Sequence, residues 1–137
     1  MIIDKLLKIS NDQAVTVTAP STDVIDFGQV NPNTGLSDRA VMVVTVGVTP
    51  TAAGAATVTF AVQDSADNSS WADVVATGAI AITALAAGQQ VVIPMPTKHR
   101  RYVRLNYTVG TGPLTAGKFD AQVVAGIQQN AAHPDAI

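Results

Sequence analysis

The chain has 137 residues, the usual length of one domain, with a formal net charge of −2, 13% charged residues and no cysteine. That removes disulfides, thiolate metal sites and a cysteine nucleophile, and it argues against a nucleic-acid binder held by its overall field. All ten acidic residues are Asp, and 19 Val, 15 Thr and 22 Ala stand against six Leu and four Lys, a β-forming composition with about half the usual share of charge.

Ile2, Ile3, Leu6 and Leu7 recur at helical spacing, with Asp4, Lys5 and Lys8 opposite. The segment is too short for a stable helix alone, so residues 1–12 read as an N-terminal arm or short helix. Its apolar side chains are expected to lie on their own domain or on a neighbouring subunit. It lacks the basic start and the cleavage site of a secretory leader, which assigns it to a mature protein made and kept in a cytoplasm. No apolar run approaches the roughly 18 residues of a membrane span, so no membrane partner is expected.

Residues 13–128 read as one antiparallel β-sandwich or jelly roll of about eight strands, all-β in class. Val15 and Val17 alternate with Thr16 and Thr18 over Gln13–Thr18, and Thr22–Phe27 continues after a Pro20–Ser21 break. Gly28–Ser37 is a turn-rich loop. In Arg39–Val48, Val41 and Val43 point one way and Met42, Val44, Val46 and Val48 the other, so both faces are expected to be covered. Ala56–Gln63 places Ala56, Val58, Phe60 and Val62 inward. Shorter strands are predicted over Asp73–Ala76, Ala79–Thr83 and Gln89–Ile93, with Pro94 and Pro96 barring the stretch around Met95 from a central strand. Arg101–Val109 turns Val103, Leu105, Tyr107 and Val109 inward, and Lys118–Gln128 does so with Phe119, Ala121, Val123, Ala125 and Ile127. Residues 129–137 show no pattern and read as a flexible tail.

The titratable residues show no catalytic pattern. His133 falls in the tail, and His99, among Lys98, Arg100 and Arg101, reads as a surface residue without a metal-ligand partner. No Gly-x-Ser-x-Gly elbow and no phosphate-cradling glycine loop occur, so no enzyme and no cofactor are expected. Asp64, Asp67 and Asp73 cluster near Asn68-Ser69-Ser70, which an Asp/Ser/Asn turn explains most simply; a calcium ion held by the Asp64/Asp67 loop is the other reading. The sharpest charge feature is Lys98-His99-Arg100-Arg101 with Arg104, which holds four of the eight basic residues. It is either a solvated rim or a docking patch for an acidic protein surface. Trp71 is either a hairpin anchor or, with Tyr102, an exposed platform.

Three segments together carry a resemblance. They are Met1-Ile2-Ile3-Asp4, Gln13-Ala14-Val15-Thr16 and Ser21–Asp26; the turn from Val62-Gln63-Asp64-Ser65 to Ser70-Trp71; and Arg100-Arg101-Tyr102-Val103-Arg104-Leu105-Asn106-Tyr107 with Leu114-Thr115-Ala116-Gly117. Over residues 1–127 the chain resembles the small jelly-roll cement (decoration) proteins of tailed bacteriophages with HK97-like capsids. The resemblance implies a virion protein on the capsid exterior, partnered by the major capsid protein and by itself as a dimer or trimer, with no direct contact to nucleic acid. It carries no catalytic residues over. Ile2, Ile3, Leu6, Leu7, Arg100, Arg101 and Arg104 are the candidate protein-interface residues. Sparse charge suits that role, because interface cores are depleted in Lys, Glu and Asp. The competing reading is a glycan-binding β-sandwich of a virion or bacterial surface, using Trp71, Tyr102 or Tyr107 as platforms.

Overall fold

Runs of β-branched residues broken by Gly, Pro and Asn form ten strand segments in the computed structural model, which describes residues 3–32 and 40–126. They are β1 (Lys8–Ala14), β2 (Ala19–Pro20), β3 (Ile25–Asp26), β4 (Val41–Ala52), β5 (Thr57–Ser65), β6 (Ala72–Ala76), β7 (Ile80–Ala81), β8 (Gln90–Pro94), β9 (Tyr102–Gly110) and β10 (Leu114–Val124). One sheet runs β1-β10-β4-β8 and the other β2-β9-β5-β6, with β3 also on β9 and β7 also on β5, and all pairs are antiparallel. Taking β2 with β3, and β6 with β7, as single interrupted strands leaves eight. In those terms the sheets are ordered 1-8-3-6 and 2-7-4-5, the double Greek key of a jelly roll.

The ladders give the sandwich two distinct ends. Val41 lies opposite both Val124 and Pro94, and Tyr102 lies opposite both Ser65 and Asp26. The N-terminus, the β3–β4, β5–β6 and β8–β9 connections and the end of β10 therefore gather at one end, the rim end. The β1–β2, β4–β5, β7–β8 and β9–β10 connections form the far end.

Three rings join the sheets. Phe60 of β5 meets Tyr107 of β9 at 5.8 Å and Phe119 of β10 at 5.6 Å, both edge-on, and Tyr107 stacks on Phe119 at 5.5 Å. Burial raises the Tyr107 pKa, so its hydroxyl stays a proton donor. That hydroxyl donates to Ser10 Oγ at 2.8 Å, Ser10 donates to Gln13 Oε1 at 2.7 Å, and Gln13 Nε2 donates to the Pro20 carbonyl at 2.8 Å. A polar chain thus runs from the buried Tyr107 and Ser10 out through the half-buried Gln13 to β2, with each member satisfied.

Several expectations need correction. The first strand is β1, Lys8–Ala14, so most of the expected arm's second half pairs with β10, and Thr16–Thr18 are loop. The expected strand Thr22–Phe27 shrinks to Ile25–Asp26 and Ala79–Thr83 to Ile80–Ala81, each hugging a central strand beside a bend. Both faces of β4 are indeed covered at Met42, Val43 and Val44. Val48, however, is exposed, because Val46 pairs Phe119 while Val48 pairs Lys118, and the extra residue Gly47 throws Val48 outward. β10 ends at Val124, which leaves Ala125 exposed; Ile2, Ile127, His133 and the expected tail lie outside the described residues.

Truncating the central ring, Phe119→Ala, is expected to lower unfolding stability by about 3–5 kcal/mol. Tyr107→Phe, which removes only the bond to Ser10, is expected to lower it by about 1 kcal/mol. Urea unfolding reads both, and equal losses would contradict the ring cluster as the link between the sheets.

Candidate functional site

The β8–β9 connection crosses the rim end and carries Lys98 to Arg101. Alternation along β5 turns Val58, Phe60 and Val62 inward and carries on to Asp64, whose carboxylate is buried and so requires a partner. Arg100 supplies it. Its backbone N–H donates to Asp64 Oδ2 at 2.8 Å, its Nε to Oδ1 at 2.8 Å, and its Nη2 to the Asp64 carbonyl oxygen at 2.8 Å. Burial pushes the Asp64 pKa up, the Arg100 bonds pull it down, and the bonds win, so Asp64 is held ionised with its pKa below the ordinary carboxylate range.

Arg101 reaches across to β3, where its Nε and Nη2 bond the two oxygens of Asp26 at 2.7 and 2.9 Å, a bidentate fork. This bond, with the Gly28 N–H at 2.8 Å, holds Asp26 down at about 2. The Arg101 guanidinium also lies 5.1 Å from the Tyr102 ring centre. Arg104 takes a different course. It stands 4.2 Å over the Trp71 ring and donates from Nε to Gln63 Oε1 at 2.8 Å, and Gln63 in turn donates to Asp73 at 2.7 Å. With no carboxylate bonded to it among the described residues, burial alone moves its pKa, downward. Trp71 is therefore half-buried, with Arg104 occupying one face of its ring.

Asp67 closes the β5–β6 turn. Its Oδ1 accepts from Ser65 Oγ and from the Ser69 and Ser70 N–H groups, which holds its pKa far below the usual range. The two carboxylates of the calcium reading are thus taken by protein donors, and Asp73 points to Gln63. Among the described residues no group of three or more His, Cys, Asp or Glu is placed to hold a metal.

His99 is buried at 6% exposure, against the surface position expected of it. It packs on Phe27 at 4.7 Å, and its Nδ1 lies 2.8 Å from the Arg100 carbonyl, which accepts only, so Nδ1 carries the proton. Among the described residues nothing hydrogen-bonds the buried Nε2. Beside it opens a cleft of about 870 Å³, edged by Asn31, Thr97, Lys98, His99 and the Asp64–Arg100 pair.

The N-terminal segment reaches the same end. A single 3-10 turn, Lys5–Leu7, is capped by Asp4, whose Oδ1 accepts from the Leu6 N–H at 2.9 Å, and Ile9 O accepts from the Asp23 N–H at 2.9 Å. Leu7 packs partly on the core, whereas Leu6 is 83% exposed and Ile3 is also open to solvent. Val30, beyond β3, is 76% exposed. The structure therefore brings together Ile3, Leu6, Arg100 and Arg101 of the expected interface set at one end. Arg104 sits further along β9 on an outer face, Leu7 turns inward, and Ile2 lies outside the described residues. The aspartate partners of the arginines were not among the expected residues. For Asp64 the inward parity of β5 was a usable signal; for Asp26, on a two-residue strand, there was none.

Asp26 is held below its unfolded value of 3.8, so the Arg101 fork stabilises the fold above that pH and loses this effect as pH falls toward about 2. Asp26→Asn is expected to be less stable than wild type near neutrality, with the gap closing as pH approaches 2 in urea unfolding series. A gap of the same size at both pH values would contradict the assignment.

No curated protein matches the chain. A family model described as Bbp16 matches residues 9–123, from β1 through nearly the whole of β10, and on that span the chain belongs to the Bbp16 family.

Proposed function

We propose that the protein is a capsid cement (decoration) protein, a structural virion component. It binds the outer face of an icosahedral phage head as a homo-oligomer and bridges major capsid subunits. The observation that carries this reading is the make-up of the rim end: exposed Leu6, Val30 and Ile3 lie at the same end as arginines whose charges are already balanced by Asp26 and Asp64. Apolar side chains next to prepositioned arginine are the composition of a protein-docking surface, and little charge has to be stripped of water when it is covered.

In this role the jelly roll is a rigid mount. The clamp from Arg100 to Asp64 fixes the β8–β9 connection to β5, so the rim meets its partner without a large ordering cost. Modest contacts, repeated over the copies of an oligomer, multiply through effective concentration.

Leu6→Asp is the direct test. Its side chain has no packing role, so thermal stability is expected to stay within a few degrees of wild type. Occupancy on cement-free heads, read by co-sedimentation, is expected to fall about tenfold or more, because an unpaired charge enters the contact. Unchanged occupancy would remove the N-terminal segment from the docking surface.

A further inference from the structure

We propose that the outer face of the second sheet holds a binding site for an acidic sugar, with Arg104 as the clamp for its carboxylate. β9 turns Val103, Leu105 and Tyr107 into the core and β5 turns Phe60 and Val62, so the residues between them face outward. The ladders then set three side chains in one row across that face. Arg104 on β9 lies opposite Gln63 on β5, and Gln63 lies opposite Asp73 on β6. Trp71, two residues before Asp73, completes the row with its ring 4.2 Å from the Arg104 guanidinium.

The row keeps Arg104 and Asp73 apart. Their backbones stand two strand spacings from each other, roughly 10 Å. Gln63 fills the gap, accepting from Arg104 Nε at 2.8 Å and donating to Asp73 Oδ1 at 2.7 Å. Of the three described arginines, Arg100 has Asp64 and Arg101 has Asp26, while Arg104 has no carboxylate among the described residues. Its charge is nonetheless partly desolvated, which pulls its pKa down. A guanidinium that has given up water without gaining an anion has the most to gain from an anion arriving from outside the chain. It is also prepositioned. The Gln63 bond and the Trp71 ring hold it in place, and Nη1 and Nη2, which bond nothing among the described residues, form an end-on fork that matches the two oxygens of a carboxylate.

The flanks of the fork select the rest of the ligand. Asn106, the next outward residue along β9, gives its Nδ2 to Thr108 Oγ1 at 3.1 Å, so its Oδ1 is what it offers beside Arg104. Asp73 likewise keeps Oδ2. Acceptors on both sides of a carboxylate clamp suit a ligand with donors on both sides of its carboxylate. The ring hydroxyls of a sugar acid are such donors. An acidic protein segment fits less well. β9 and β5 are paired along both edges, so no strand can be added to them. The amides of Gln63 and Asn106 next to Arg104 also give an anchoring apolar side chain no seat. No residue of this row belongs to the rim end, so the site stands whatever the rim end binds.

Trp71 is the only tryptophan of the chain and lies against the clamp, so its fluorescence reads the site directly. Methyl glucuronide and the methyl glycoside of N-acetylneuraminic acid, titrated into the full chain, are the acidic probes. At least one is expected to change that fluorescence saturably, with a dissociation constant on the order of 1 mM. Methyl glucoside, which has CH2OH in place of the carboxylate, and acetate, which has the carboxylate alone, are expected to bind at least tenfold more weakly. Arg104→Lys keeps the charge and loses the fork, and Gln63→Glu supplies Arg104 with a carboxylate from its own sheet. Each is expected to weaken the acidic sugar about tenfold or more by calorimetry, while circular dichroism and melting stay near wild type. Silence toward both acidic sugars, or binding indifferent to Arg104→Lys and Gln63→Glu, overturns the proposal. Equal affinity for the glucoside removes the clamp, and equal affinity for acetate leaves an anion site without a sugar; either result overturns it as well. An aspartate-rich peptide that binds through Arg104 where the sugars do not assigns the face to an acidic protein instead.

Discussion

The stack of Phe60, Tyr107 and Phe119 is the contact on which the rest of the structure depends. With three Phe, two Tyr and one Trp in 137 residues, the chain has few large side chains to fill the space between two sheets about 10 Å apart. Three of the six meet at its centre, and Val, Ile and Leu fill in around them. The same strands set the surface. β9, fixed by Tyr107, begins at the Arg100–Arg101 corner and carries Arg104 outward. β10, fixed by Phe119, aligns β1 and so directs where the N-terminal turn leaves the sandwich.

The absence of Glu has a local cause. Asp4 accepts from the Leu6 N–H, Asp26 from Gly28, Asp64 from Arg100, Asp67 from Ser69 and Ser70, and Asp120 from Asp12. Five of the eight aspartates among the described residues therefore hold a backbone N–H, most of them two or three residues away. A carboxylate on one methylene reaches its neighbouring backbone; one methylene more swings it past. Two of these five also take an arginine, so the acidic residues both shape the turns and neutralise the rim they shape.

Much of the fold was legible because burial is periodic. The inward sets of β5 and β9 follow the period of two residue by residue, and the all-β sandwich follows from them. The errors lie where something other than periodicity decides. Gly47 inserts a residue and reverses the parity at Val48. β1 has Lys8, Ser10 and Gln13 in a strand whose buried polar chain depends on Tyr107, about a hundred residues away, and no local pattern announces that. The site was half legible. The cluster of basic residues was plain in the sequence, but its meaning was not, since whether an arginine is free or paired depends on partners that only the jelly-roll order brings near. Arg101 and Asp26 meet because β3 and β9 are neighbours, and His99 is buried because Phe27 arrives from the same pairing.

The sparse charge is thus not spread thinly over the molecule. Among the described residues it is gathered toward the rim end, with pairs reaching along the outer face of the first sheet, and much of it is cancelled by bonds within the chain; the four connections of the far end carry none. The first arrangement gives orientation, because a guanidinium held in a fixed fork presents its remaining donors in one direction. The second leaves a surface of small uncharged side chains, which offers shape but no electrostatic selectivity. The two ends of a chain divided in this way answer different conditions. Acid removes the carboxylates that hold the rim together and leaves the far end as it was; added salt screens the exposed Asp26–Arg101 pair and does nothing to a surface without ions.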